Sequence, residues 1–498
     1  MKNHKLCFLM PVLLISLLFW SCSNLDENPS SQVTPENFFQ TEGELVAAVI
    51  PVYASLRDFN WDWHHSQEVP SDEIVVPQRG GDWGDGGNWR VLQEHKWTPN
   101  HVQVNGVWNG AYRGIARANA TLENLQQSPQ SSTDLVQTFI AEVRVLRAFF
   151  YWWLADLYGG VPVVTDAITD PDNPPSQNTR QEVFDFIVKE ITEALPGLKD
   201  SHSNSRVDKG AANALLATVY LNAEVLTGSA KWNECVQACD AIINSGLYSL
   251  MPNYKDVFAL ANEGAANPEN IFVVEHRAEG GVGFNFNMRT LHYNQLATSP
   301  WNGFAVLADF YNKYDQDDDR FDVILVGQQF VLSGPNAGQP ATDRQGNPLV
   351  FTVETPIVGA TEANGPRILK WEVDQNASGG DSGNDYAFFR YSHILLAKAE
   401  ALFMLGNSGE ALALVNQVRA RSFEPDKPLA SIDLDAILDE RGFEFLWEGF
   451  RRQDLIRHGR FLDAWTLKEA SDGAHRKLFP IPQIQLDANP NLTQNPGY

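Results

Sequence analysis

A mainly α-helical fold, in which stacked helical pairs carry a large irregular, loop-rich insertion, is what these 498 residues predict. Three observations lead there. Apolar residues recur at helical spacing in two helical pairs far apart in the chain. Small residues recur where those helices would cross. Between the pairs, over 246–385, the periodicity dissolves into chain rich in Gly, Asn, Asp and Pro.

The chain opens with basic Lys2 and Lys5, followed by the apolar run Leu6–Trp20. That run is shorter than the ~20 residues a membrane-spanning helix needs, so 1–21 reads as a secretory signal. Ser21-Cys22 ends it with a small residue before a cysteine, the point at which a bacterial lipoprotein is cut and acylated. Fatty chains, at about 0.8 kcal/mol per buried CH₂, would hold the mature protein on a membrane. Residues 22–34 are then a lipidated tether. Ordinary signal cleavage with Cys22 incidental is the alternative.

Residues 35–245 are expected to form a helical scaffold interrupted by a loop-rich segment, 58–108. Helices are predicted from Pro35 to about Arg57, over 110–126, and over 135–158. In the last, Leu146, Phe149, Phe150, Trp153, Leu154 and Leu157 share one face, and Gly159-Gly160 and Pro162 end it. Further helices are predicted at about 180–195, 209–226 and 231–245. The last two form a pair with Ala212, Ala214, Ala217, Ala238 and Ala241 at their crossing. A second pair, YSHILLAKAEALFMLGNSGEALALVNQVRARS, lies in the C-terminal scaffold, 386–498. Such pairs resemble tetratricopeptide units. One unit cannot bury its own apolar face, so the stack must be completed by segments on either side of the insertion. Helix 435–458 is predicted to be continuous, buried and laced with charge. Phe443, Leu446, Trp447 and Phe450 make its stripe, with Arg441–Glu444 and Glu448–Arg452 as internal pairs.

Composition narrows function. Removing the signal takes away Lys2 and Lys5 and no acid, moving the net charge from −25 to −27. A surface that acidic, with no basic cluster, disfavours nucleic acid. Past Cys22 only Cys235 and Cys239 remain, one helical turn apart, and they read as small buried thiols. No catalytic motif is found among HExxH, GxSxG, P-loop and GxGxxG patterns, and no cofactor is expected. Asp315, Asp317 and Asp319 imitate a calcium loop. Arg320 stands where its Gly belongs and Val326 where its Glu belongs, so no metal is assigned. His64-His65, being adjacent, should point apart.

Aromatic placement is more informative. Of 14 tryptophans, six fall within 61–108, in NWDWHH, RGGDWGDGGNW and beyond. Indoles on glycine-rich loops offer flat apolar faces, while neighbouring Asp, Asn and Arg offer hydrogen bonds. Sugars are held in this way, each stacked ring contributing roughly 0.5–1.5 kcal/mol by analogy with aromatic pairs. Candidate ligand contacts are therefore Trp61, Trp63, Arg79, Asp82, Trp83 and Trp89, with Tyr293, Trp301 and Asn302 as a second cluster. Trp97 and Trp108, next to helical segments, read as packing residues.

Several segments together resemble the SusD/RagB family, surface lipoproteins of Bacteroidetes that bind nutrients. They are NPSSQVTPENFF, LRAFFYWWLADLYGGVP, KGAANALLATVYL, ALALVNQVRARS, ERGFEFLWEGFRRQDLIRHGRF and the C-terminal LFPIPQIQLDANPNLTQNPGY. The resemblance spans the mature chain and departs from it at Gly442 and Phe443, where relatives often carry polar residues. It implies a SusD-like scaffold of helical pairs with an irregular ligand-binding face. It also implies a non-catalytic protein, lipid-anchored in the outer membrane and facing outward. Such a protein captures glycan as the lid of a SusC-like TonB-dependent transporter. The competing expectations are a peptide binder of the same family, a helical glycosidase and a pure scaffold.

Overall fold

The computed structural model describes residues 41–498 apart from 169, 171, 261–265, 280 and 378; Cys22, the signal and the tether lie outside the described residues. Among the described residues, nine helices of twelve residues or more build the scaffold. They are α1 (Glu42–Ser55), α2 (Val102–Gln127), α3 (Asp134–Leu157), α4 (Arg180–Ala194), α5 (Lys209–Leu221), α6 (Trp232–Ile243), α7 (Tyr391–Met404), α8 (Ser408–Ala420) and α9 (Leu434–Phe445). None of them is long and apolar enough to cross a membrane.

Local chemistry sets their ends. Thr41 with Glu44 and Thr179 with Glu182 form capping boxes at α1 and α4, each satisfying donors the helix start leaves open. Thr133, Asp208 and Asp433 cap α3, α5 and α9. Gly159, at φ 80°, turns the chain after α3. Close crossing also explains Gly114 of α2: a Cβ there would stand 2.5 Å from the Phe150 ring of α3.

Neighbouring helices pack in series, α1 on α2, α2 on α3, α3 on α4, and α5 on α6. The stack then continues across the insertion, because α6 packs on α7 and α7 on α8. Chain segments separated by the irregular region therefore complete one another's apolar faces, as the two distant pairs require. Cys235 and Cys239 of α6 are buried free thiols, and the Cys235 thiol donates to the Ala217 carbonyl of α5. At the base of the insertion, β1 (Asn270–Val274) pairs antiparallel with β2 (Tyr386–Arg390), which runs directly into α7. This pair pins both ends of the insertion beneath α3, where Phe149 meets Phe388 at 4.7 Å and Phe272 at 6.1 Å.

The expected helix 435–458 is two. α9 stops at Phe445, and a second short helix occupies Arg451–Arg457. Between them Trp447 and Gly449 take positive φ, 67° and 82°. The turn lets the Gly449 N–H reach the buried Glu68 carboxyl, and a Cβ at 449 would stand 2.8 Å from the Trp63 ring. Tertiary contact overrides the helical pattern here. The charges also pair across the fold rather than along the helix. Arg441 bonds Asp454 at 2.8 Å, Arg452 bonds Asp156 at 2.9 Å, and Glu448 meets Lys370 and Arg390. Glu444 meets Arg320, Arg390 and Arg421. The segment is a buried junction between scaffold and insertion.

Candidate functional site

Two short pairings, one antiparallel and one parallel, assemble the site. Ile74-Val75 pairs with Ala305-Val306, which brings the loop carrying Trp83 beside the loop carrying Tyr293, Trp301 and Asn302. An isolated bridge from Gln78 to Val358 then draws in the 353–366 segment. Trp61 arrives from the start of the short helix Asp62–Glu68.

Trp61 is 38% exposed, and its ring meets Trp301 edge-on at 6.2 Å and Trp89 at 6.1 Å. The Arg289 guanidinium lies 5.0 Å from the Trp61 ring centre. Trp83 lies against Gly303, where a Cβ would stand 2.4 Å from the indole, and its Nε1 donates to the Trp301 carbonyl at 2.7 Å. Trp83 holds φ at 60°, a left-handed conformation an indole-bearing residue rarely adopts; Asp85, Ser299 and Asn302 in the same two loops are also at positive φ. Beyond Trp83 a groove of about 360 Å³ runs between Val76, Gln78, Arg90, Ile357 and Val358.

The polar rim lies beside these rings. The Tyr293 hydroxyl donates to Asp82 at 2.5 Å, and the Arg344 guanidinium stacks 4.1 Å above the Tyr293 ring. Arg344 donates to Asp82 at 3.0 Å and to Glu362, which also accepts the Arg344 backbone N–H at 3.0 Å. The Tyr293 bond, followed by Arg344, holds the Asp82 carboxyl below its usual range. Burial pushes Glu362 upward, but bonds from Arg344 and His292 outweigh it, and the net shift is down. Both carboxylates are ionised at neutral pH.

The structure divides the expected contacts. Trp61, Asp82, Trp83, Tyr293 and Trp301 are partly exposed on one face. Trp63, Arg79, Trp89 and Asn302 are corrected to buried supports. Trp63, 1% exposed, stacks on Trp153 at 5.5 Å because it sits two residues past Trp61 and so faces the core. Arg79 is covered by the 353–366 segment and donates to the Thr361 and Asn364 carbonyls at 2.6 and 2.8 Å; burial pulls its guanidinium down to about 9. Trp89 donates to Asp85 at 2.6 Å beneath Trp83. Asn302 bonds the Glu362 carbonyl and accepts from Arg367. Trp97 and Trp108 are buried as well. His64 and His65 are buried apart, one on the Trp447 carbonyl and one on Arg289. Lys427 occupies the acidic turn, bonding Asp315 and Asp317.

Sequence reasoning missed Arg344, Glu362 and Arg289. Arg344 sits in a turn, TDRQGN, with no aromatic or periodic signal, and only long-range pairing places it on the site.

A mainly helical stack with a loop-built aromatic face is the class of molecule seen here. Residues 268–498 match the SusD family, and residues 25–221 match a family described as starch-binding and associating with the outer membrane. The chain belongs to the SusD/RagB family. It is 27% identical to SusD-like protein P2 of Formosa agariphila over 100% of both chains. It is 24% identical to the starch-binding protein SusD of Bacteroides thetaiotaomicron, over 86% of this chain and 84% of that one. A solved laminarin-binding SusD-like protein superposes with a TM-score of 0.76 at 25% identity, covering 92% of this chain and 100% of its own.

Proposed function

We propose that this chain is a non-catalytic glycan-binding lipoprotein of the outer cell surface. It is acylated on Cys22 and acts as lid and partner of a SusC-like TonB-dependent transporter. The observation that carries the reading is the convergence of Trp61, Trp83, Tyr293 and Trp301, from three separate segments, on one exposed face rimmed by Asp82 and Arg344. Indole faces suit the C–H faces of sugar rings, and the rim suits hydroxyls.

The same electrostatics argue against glycoside hydrolysis at this face. A glycosidase needs one carboxyl kept protonated as general acid. Asp82 and Glu362 are instead both held in the charged form by hydrogen bonds.

The test is a glycan array run beside a peptide panel, on wild type and on a Trp83→Ala/Trp301→Ala double variant. Glycan binding that weakens in the double variant, with an unchanged circular dichroism spectrum, supports the platform. Unaltered affinity, or release of sugar from a polysaccharide, overturns it. Incorporation of labelled palmitate that Cys22→Ala abolishes, and co-purification with a large barrel protein, test the anchor and the partner.

A further inference from the structure

We infer that this face, read as a glycan platform, selects neutral glycans over uronate-bearing or sulfated ones, with Asp82 and Glu362 as its specificity-determining residues. The inference rests on the glycan-binding reading and adds the charge class of the ligand.

Recognition of an anionic sugar needs a cation whose charge is not already matched. Arg344, 49% exposed, is the cation on the rim, and two carboxylates already pair with it. Its Nη2 bonds Asp82, its Nε bonds Glu362, and its flat face covers Tyr293. Arg79, Arg289 and Arg367, near the rings, are buried and turned inward, whereas Arg90 is exposed. Arg79 donates to the Thr361 and Asn364 carbonyls, and Arg289 to Asn60 and Asn285. Arg367 donates to Asn302 and to the Glu362, Asn364 and Gly365 carbonyls. In the groove past Trp83, Arg90 is accompanied by Asp85.

Two carboxylates thus stand against one guanidinium at the rim, within a chain whose net charge is −25. An arriving carboxylate or sulfate would meet Asp82 and Glu362 and, even on the Arg344 Nη1 that bonds neither of them, would place a third negative charge beside one guanidinium. A neutral hydroxyl meets no such opposition. It can donate to an Asp82 lone pair and accept from an Arg344 N–H without breaking the existing bonds.

The experiment is affinity gel electrophoresis of the full mature chain in neutral polysaccharides (laminarin, starch, xylan, galactomannan) and acidic ones (polygalacturonate, alginate, carrageenan). Wild type should be retarded by at least one neutral polymer and by no acidic one. The neutral affinity should change within about twofold between about 50 and 500 mM NaCl, since no charge pair is formed on binding. Asp82→Asn/Glu362→Gln, confirmed folded by its melting curve, releases the Arg344 guanidinium. It should gain about tenfold or more in apparent affinity for an acidic polymer, the worth of a hydrogen bond to a charged group. Retardation of wild type by an acidic polymer overturns the inference, and so does a double variant that stays blind to acidic polymers. Failure of every polymer of both classes overturns instead the glycan-binding reading beneath it.

Discussion

Trp61 and Trp63 stand two residues apart on the same turn of chain, yet they belong to different parts of the molecule. Trp63 faces inward, stacks on Trp153 and lies 5.6 Å from Phe388. Trp61, 38% exposed, faces outward, in T-shaped contact with His65, Trp89 and Trp301. The first ring is surrounded on all sides. The second is left with that exposure, Trp301 beside it and Arg289 5.0 Å from its ring centre. Richness in tryptophan does not by itself mark a ligand site; the side of the chain each ring leaves from decides which it joins.

The sharpest way to break this comparison is to truncate the buried member. Trp63→Ala removes an indole packed against Trp153, Trp152 and Phe388, and the turn at Gly449 would lose the ring it rests on. A loss of about 3–5 kcal/mol in unfolding free energy is expected, measured by urea titration. Glycan affinity per folded molecule should hardly change. A stability loss below about 1 kcal/mol would mean that Trp63 is not the core residue its burial implies.

Between the two rings lies Asp62, whose carboxyl packs against Gly106 of α2. Burial, then the nearby Asp58 charge, raises it to about 6. A carboxyl whose pKa is raised on folding stabilises the fold while protonated, and that contribution is lost as pH rises through about 6. Ionised Asp62 is therefore a burden at neutral pH. The shift is roughly two pH units at about 1.4 kcal/mol each, so Asp62→Asn should gain at most about 3 kcal/mol at pH 7. Below about pH 4 the gain should vanish. Melting curves of both proteins across that range check the sign. A gain that persists at low pH would point to packing and away from charge.

How much of this was legible beforehand follows the range of the interactions. The helix Asp134–Leu157 could be placed because its stripe, cap and Gly159 are all local. The break after Phe445 could not, because it depends on Glu68 and Trp63, more than 370 residues away in sequence. The site divides the same way. Trp83 and Trp301 stood out by type and loop composition. Their meeting depends on the pairing of Ile74-Val75 with Ala305-Val306, strands of two residues that carry no periodic signal. Arg79 and Asn302 sit among glycines and polar residues and so look exposed. Only the covering 353–366 segment, invisible to composition, makes them internal.

The smallest expected effect belongs to the exposed member of the pair. Trp61 is held by edge contacts and by Arg289, whose own place is fixed by Asn60 and Asn285. Replacing it by alanine trims contacts with Trp89 and His65 but leaves the Trp63–Trp153 stack untouched, so unfolding free energy should move by under about 1 kcal/mol. What it removes is one stacking surface, worth roughly 0.5–1.5 kcal/mol by analogy with aromatic pairs, or a fall in affinity of about two- to twelvefold. Isothermal titration with whichever polysaccharide retards the wild type would read this directly. The contrast with Trp63 is the point of the measurement: one substitution should change stability and spare binding, the other the reverse. If Trp61→Ala lowers the melting temperature as far as Trp63→Ala does, the outward ring is part of the core, and the platform shrinks to Trp83, Tyr293 and Trp301.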